Sequence, residues 1–356
     1  MLRQLDRYLT NRFTGVLVLA LLSFVAVYVV VDLIDHLDDF MTHEVPPTGI
    51  ARYYLHYIPY IFVLTLPIGT LLATLLVIGE MGSAYELVAI KAAGISMYRV
   101  ASPLLRLGLF VSIVALLLAE LVVPRSNEAR AQILQVSPSG FLGGQMHHIT
   151  RQDRAGYILY AGYYDRAERR ARNVAIVQVT GDKARRRIDA EEMQWDEEGW
   201  LLLSATDRTL TEDDGKLTTH PRMRLPTLTI RPEDLTRVDK LPEQMSFLEL
   251  SDYIERMRLV GGNASRWLVD LHLKIAFPFA SLMMVWLGFP VAARTWRGGK
   301  AIYIGLTLII GFLFFVCVRS GQALGRSGDI NSVLGAWGAD ALFFVIGLLL
   351  FRWTRK

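Results

Sequence analysis

Gly79–Arg106 reads GEMGSAYELVAIKAAGISMYRVASPLLR, a short charged insert with helix-forming composition between two long apolar runs. Within it, Ser83-Ala-Tyr-Glu86 has the spacing of a capping box, with the hydroxyl facing the third amide and the carboxylate reaching back. Leu87 and Ile90 share one face, and Gly94 is a natural stop for a helix. The spacing therefore predicts a short helix over about 83–98, followed by a turn at Ile95-Ser96 that directs the chain back into an apolar span. The insert carries Lys91, Arg99 and Arg106 but no catalytic set. A polar helix held against a membrane face suits docking to another protein.

Working outward, apolar residues make up 52% of the 356 positions, and they are unevenly spread. A bilayer core of about 30 Å needs roughly 20 apolar residues in a helix. Phe13–Val31, Tyr53–Ile78, Ile275–Ala293 and Ala301–Val318 are free of charge, Leu107–Val123 carries Glu120, and Val333–Phe351 carries Asp340. Six spans are expected. The first is too long for the apolar core of a signal peptide and lacks a small-residue cleavage site, so it reads as an uncleaved span. Glu120 and Asp340 sit near span ends and are expected to reach interfacial water.

Lysine and arginine set the orientation. Arg3, Arg7 and Arg12 precede span one, and Arg294, Arg297 and Lys300 lie between spans four and five. Arg352, Arg355 and Lys356 follow span six. The opposite short loops carry only Arg52, Arg319 and Arg326. This excess puts both termini and the 79–106 insert in the cytoplasm of a bacterial plasma membrane. The acidic loop of Asp32, Asp35, Asp38, Asp39 and Glu44 and the long segment after span three then lie in a periplasm.

Residues 124–266 read as a β domain. Gly156–Gly162, Asn173–Thr180, Trp200–Ala205 and Leu225–Ile230 are short β-branched or aromatic runs separated by charged turns, the pattern of a sandwich or jelly roll. Ser246-Phe-Leu-Glu249 opens a helix over 246–260, ended by Gly261-Gly262, expected to dock on that sheet. The organisation is thus spans one to three over 1–123, the β domain over 124–266, and spans four to six over 267–356. The fold class is an α-helical membrane protein with six transmembrane helices and an inserted periplasmic β-jellyroll-like domain.

Chemistry is sparse. The sequence lacks a G-x-x-x-x-G-K-[ST] loop, since Gly298-Gly-Lys300 runs into Ala301 without the upstream glycine. His147-His148 lacks companion ligands for a metal site and reads as a surface pair. Neither a catalytic residue, a bound cofactor nor a metal is expected. Energy would come from a partner through a contact such as 83–98. An ion-coupled secondary transporter of a lipid or amphiphile is the alternative, and it would use discontinuous helices, for which Pro59 and Pro67 in span two are candidates.

Glu86–Arg99 followed by Pro103-Leu-Leu resembles the coupling-helix signature of the lipopolysaccharide-export permeases, the LptF/LptG family. Leu5-Asp-Arg-Tyr8, Val122-Val-Pro124, Met245-Ser246 with Glu249-Leu250, and Lys274-Ile-Ala-Phe-Pro278 match in order along the chain. The Asp-Arg-Tyr opening and Glu120 look closer to the LptG branch. The resemblance implies a non-catalytic permease that pairs with a paralogous permease and two cytosolic ATPase subunits, which use the ATP. It also implies handover of lipopolysaccharide to a periplasmic bridge or single-span accessory protein. Under it, Ser83, Glu86, Leu87, Ile90, Lys91, Gly94, Tyr98 and Arg99 couple to the ATPase. Phe24, Tyr28, Asp32, Arg52, Phe312, Phe315 and Arg319 are candidates for lipid contact. Lysines expected at the outer end of span one are replaced here by aspartates, so phosphate contact there is in question.

Overall fold

The computed structural model describes residues 2–42, 45–135, 145–153, 156–165, 168–180, 183–196, 199–209, 217–225, 228–235, 242–259, 264–294 and 299–354. The predicted stop at Gly261-Gly262 and the charges of Glu44, Arg297, Arg355 and Lys356 lie outside these residues, as do the side chains of Asp39, His147 and His148.

The helices before the β region are α1 (Leu2–Asp35), α2 (Leu37–Thr42), α3 (Pro47–Ser83), α4 (Glu86–Ala92), α5 (Met97–Leu117) and α6 (Val123–Gln135). Six strands follow: β1 (Gln145–Gln152), β2 (Tyr157–Asp165), β3 (Arg170–Thr180), β4 (Lys183–Asp196), β5 (Gly199–Thr209) and β6 (Leu217–Arg224). The chain ends with α7 (Pro232–Leu235), α8 (Phe247–Leu259), α9 (Ser265–Arg294), α10 (Lys300–Ser327) and α11 (Ser332–Thr354). Two compact units result, one of residues 1–133, 242–247 and 265–356, the other of 134–241 and 248–264.

Among the described residues of the first unit, six helices are long and apolar enough to cross a membrane. Helices α3 and α9 form its centre, with 72% and 61% of their apolar windows buried, against 22–33% for the other four. Buried Phe13, Leu71, Leu104, Phe289 and Phe314 join the helices in one core. Between helices in lipid such packing acts through close contact rather than release of water. Helix α3 runs unbroken through Pro59 and Pro67. Thr65 Oγ1 bonds Ile61 O at 2.9 Å, and Thr70 Oγ1 bonds Pro67 O at 2.9 Å and Ser281 O at 3.3 Å. These hydroxyls bond carbonyls of their own helix and, through Ser281, of α9, whereas the carbonyls that the prolines leave without an N–H are those of Leu55 and Val63. The break that the alternative transporter reading looked for is absent from span two.

Span three continues past its apolar run. At Leu118–Val122 the helix widens to a π turn in which Val123 N–H reaches Leu118 O. Pro124 follows at once; lacking an N–H and crowding the carbonyl four residues back, it explains the local widening. Glu120 sits in this turn, and its Oε2 accepts the Phe247 N–H at 2.7 Å rather than reaching interfacial water. Asp340 also departs from expectation. It is buried with Ala336, Ala339 and Phe343, and its Oδ1 has no hydrogen-bond partner.

In the second unit the strands form one antiparallel meander in the order β1-β2-β3-β4-β5-β6. Cross-strand pairs run Ile149↔Ala161, Ala161↔Val174, Val174↔Ala190, Ala190↔Ala205 and Ala205↔His220. One row lacks pairs: Gly162, Asn173, Glu191 and Ser204 fall between paired residues on both sides. Asn173 and Ser204 have positive φ of 51° and 52°. Buried positions alternate by two on either side of this row and step by three across it: Leu159, Ala161, Tyr164; Ala171, Val174, Ile176; Ile188, Ala190, Met193; Trp200, Leu202, Ala205. Because every strand reverses its alternation together, register survives the crease and one face remains apolar throughout.

Of the expected strand Leu225–Ile230, residues 226 and 227 lie outside the described residues, and the remainder is not strand. The ladder ends at Arg224, and Leu225, Leu228 and Ile230 fill the sheet core from irregular chain. Ile230 O takes the Trp200 indole N–H at 2.6 Å, and Asp153 accepts both the amide and the hydroxyl of Thr229. Helix α8 buries Leu250, Tyr253, Ile254 and Met257, and Met257 Sδ meets Thr150 Oγ1 at 3.9 Å. The helix thus docks on its own sheet.

Candidate functional site

Helix α4 lies on the side of the membrane unit that carries both chain termini. Its start differs from the predicted capping box. Ser83 is the last residue of α3, Tyr85 turns the chain with φ 59°, and Glu86 is the first residue of α4. The apolar run of α3 carries its helix through the serine, so Ser83 never takes the cap position. The end matches expectation. Gly94, with φ 77°, donates its N–H to Lys91 O at 2.9 Å, and Ile95 donates to Ile90 O at 3.2 Å. This is a Schellman closure, and Ile90 and Ile95 both pack against the helical core.

Leu87 is 4% exposed, so α4 is glued down by Leu87 and Ile90. Tyr85, Val88, Ala89, Lys91 and Ala92 face outward. Spacing at i, i+3, i+4 and i+7 makes Tyr85, Val88, Ala89 and Ala92 one small apolar stripe.

Glu80, Glu86, Arg99 and Arg106 of the insert are engaged internally, whereas Lys91 faces outward. Tyr8 OH donates to both Glu86 carboxylate oxygens at 3.4 and 3.5 Å. Arg99 Nη2 meets Asp6 Oδ2 at 2.9 Å, with Arg106 Nη2 at 3.5 Å from the same oxygen. Arg12 and Lys300 both reach Glu80, at 3.4 and 3.1 Å. Tyr303 OH bonds Gly79 O at 3.3 Å, and its ring occupies the space where a Cβ on residue 79 would stand, 2.2 Å away. Tyr98 stacks on Phe351 with ring centres 5.5 Å apart. The first three turns of α1 are therefore bonded to α3, α4 and α5. Sequence reasoning missed Asp6, Tyr8, Arg12 and Glu80; the Asp-Arg-Tyr motif was the available signal.

At the opposite ends of the spans, the lipid candidates fall into two groups on α1 and α10, which both pack on α3. On α1, Phe24 and Tyr28 are half-buried, and Tyr28 OH lies 3.3 Å from Tyr57 OH. Asp32 is 8% exposed and accepts the Tyr54 hydroxyl at 3.0 Å. It belongs to an aromatic cluster of Phe40, Tyr53, Tyr54 and Tyr57, over which Arg130 lies 4.0 Å from the Tyr57 ring centre. Asp32 is thus a packed structural acid, not an exposed flank.

On α10, Ile309, Phe312, Leu313 and Val316 form an exposed stripe that ends at exposed Arg319, while Phe315 packs on Phe277 and Phe314. Arg319 Nη1 donates to Gln322 Oε1 at 3.0 Å, and Gln322 Nε2 donates to Asp270 Oδ1 at 3.0 Å. Asp270, 7% exposed, also takes Arg326 Nη2 at 2.7 Å. This chain of bonds fixes the orientation of Arg319 from below. Arg52 is exposed at the start of α3.

The family profile described as lipopolysaccharide export system permease LptF/LptG matches residues 7–353. Similar proteins include the lipopolysaccharide export system permease protein LptG of Haemophilus influenzae, 22% identical over 363 aligned residues covering 97% of each chain. The protein of the same name from Escherichia coli K12 is also 22% identical, over 356 residues and 97% of each chain. With the match spanning all six apolar helices and the sheet, the chain belongs to the LptF/LptG family of lipopolysaccharide export permeases.

Proposed function

We propose that this multi-pass membrane protein is the transmembrane half of an ATP-driven lipopolysaccharide exporter, with α4 as the surface through which a cytosolic ATPase acts. The observation that carries the reading is the pairing of α1 with α4 through Tyr8–Glu86 and with the start of α5 through Asp6–Arg99, while the Tyr85, Val88, Ala89, Ala92 face stays outward. Force applied to that face reaches α1 directly. As one continuous helix of about 50 Å, α1 carries displacement to the far side of the membrane.

There exposed Val27, Val30, Val31 and Ile34 of α1 and the apolar stripe of α10 suit acyl chains, and Arg319 suits a phosphate at the outer boundary. A paralogous permease would face these stripes, complete the cavity and supply basic groups absent from the outer end of α1. Both termini lie in the cytoplasm in this reading, the membrane is the bacterial inner membrane, and the β domain lies in the periplasm, where it passes lipid to a bridge. The lysine and arginine distribution supports this orientation, and the LptG name of the relatives supports the branch.

Reconstitution with ATPase subunits and a partner permease tests the proposal. Val88→Glu on the outward face of α4 should abolish ATPase binding and lipid release while the permeases still assemble. Lipid flux driven by an ion gradient without ATP would sink it.

A further inference from the structure

An apolar groove lies away from the proposed export path. Helices α5, α9 and α11 enclose a groove of about 320 Å³ lined by Leu105, Leu109, Leu282, Met283, Trp286 and Phe344, with Arg106 at its rim. One end is closed by aromatic stacking: Trp286 lies 4.5 Å and Tyr98 5.5 Å from the Phe351 ring centre. Trp286 is fixed by its own indole N–H, which donates to Phe344 O at 3.1 Å. The wall is thus preformed, and every lining side chain other than Arg106 is apolar.

Arg106 supplies the charge. Its α-carbon lies about 13 Å along α5 from Met97, but the guanidinium turns back toward the terminal side. Nε donates to Ser102 O at 3.3 Å and Nη2 to Asp6 Oδ2 at 3.5 Å. That is the snorkelling geometry of a basic side chain reaching the headgroup layer. Its side chain is 66% exposed, and the Asp6 carboxylate is shared with the closer Arg99, so two guanidinium groups face one carboxylate. A positive charge remains unmatched at the mouth of an apolar groove between spanning helices.

We propose that this groove binds an anionic phospholipid, with its phosphate at Arg106 and one acyl chain along Leu105, Leu109, Met283 and Phe344. The assignment rests on the cytoplasmic placement of the termini proposed above, which makes the ligand an inner-leaflet lipid rather than the exported one. A charged phosphate beside a partly exposed arginine, with chain contacts beneath it, distinguishes this site from the general lipid-facing surface.

The test uses the full chain in its assembly, in phosphatidylcholine vesicles. These hold a minor fraction of either phosphatidylglycerol or phosphatidylcholine with a diazirine in the acyl chain. Phosphatidylglycerol should label peptides containing Leu109 or Met283 roughly fivefold more, the preference that about 1 kcal/mol per arginine at a membrane surface provides. Arg106→Gln should bring the two probes level, and Met283→Trp, which fills the groove, should remove labelling by both. Equal labelling in the unaltered chain, a preference that survives Arg106→Gln, displacement of the probe by lipopolysaccharide, or a crosslink to another protein in the groove would each overturn the proposal. Reagent access to Ser83→Cys in a Cys317→Ser background reads the orientation separately. A failed topology is thereby told apart from a failed lipid preference.

Discussion

Glu120, in the π turn of span three, accepts the first amide of α8 at Phe247 with an N···O distance of 2.7 Å. The carboxylate stands where a helix has unsatisfied N–H groups, and a negative charge there is favoured by the helix dipole. Its second oxygen, Oε1, is buried without a hydrogen-bond partner. Removing the side chain strips the Phe247 N–H of its acceptor, and losing the unpaired oxygen offsets only part of that cost. Glu120→Ala is expected to destabilise the protein by about 1–2 kcal/mol, and Glu120→Gln, which keeps an acceptor, by less. Amide exchange at Phe247 together with thermal unfolding in detergent measures both. Unchanged exchange in the alanine variant would show that the bond is not formed in the membrane protein.

The link between α1 and the insert should matter for coupling more than for folding. Asp6 and Arg99 are partly exposed, and ion pairs of that kind add little to stability. Asp6→Arg should leave assembly and ATP hydrolysis by the bound subunits in place while lipid released per ATP falls several-fold. Adding Arg99→Asp restores the pair in reverse and should restore the ratio. Rescue separates a transmission role from simple loss of a surface charge; a double variant as uncoupled as the single one would remove α1 from the force path.

The six spans were legible because an apolar run longer than the bilayer thickness has few other destinations. The details that failed did so for local reasons. Ser83 has the spacing of a cap, but it is the last residue of the preceding helix, and Tyr85 takes the cap position of the next. Pro59 and Pro67 look like breaks, yet α3 stays continuous through both, packed on its neighbours over most of its length. Strand β4, with Arg185, Arg186, Arg187, Glu191 and Glu192, is too polar to announce itself. Its inward residues are Ile188, Ala190 and Met193, and the crease spoils their alternation. Leu225–Ile230 is apolar because it plugs the sheet, not because it extends it. Among the lipid candidates, Asp32 looked exposed because the chain gave no sign that Tyr54 would reach it.

The crease itself yields a prediction. Ser204 holds φ 52° in the middle of β5, a conformation that costs a residue with a Cβ roughly 1 kcal/mol. Ser204→Gly should stabilise the sheet unit slightly, and Ser204→Val, whose branched side chain resists that backbone, should destabilise it by about 1–3 kcal/mol. Denaturant unfolding of the full chain, followed by the fluorescence of Trp195 on β4 and Trp200 on β5, whose rings lie 5.0 Å apart, reports this directly. Equal stability of glycine and valine variants would mean that the row does not carry the left-handed backbone in solution.

Arg319 is the clearest candidate for a phosphate contact because it is exposed, ends the apolar stripe of α10, and is held by Gln322, which Asp270 holds in turn. Arg319→Glu reverses the charge without emptying any buried site, so assembly should be intact while lipopolysaccharide extraction falls by tenfold or more. Gln322→Leu keeps the arginine but removes its brace, and it should weaken extraction by a smaller factor, since the guanidinium then samples orientations that miss the phosphate. Asp270→Ala differs in kind: it leaves Arg326 without its carboxylate in a partly buried site and should lower stability as well as extraction. Extraction of lipid lacking its phosphates discriminates the roles. If Arg319 meets a phosphate, the Arg319→Glu defect should shrink on that substrate, whereas the Asp270→Ala loss of stability should not change. A defect of the same size on both lipids would assign Arg319 to the architecture of α10 rather than to the cargo.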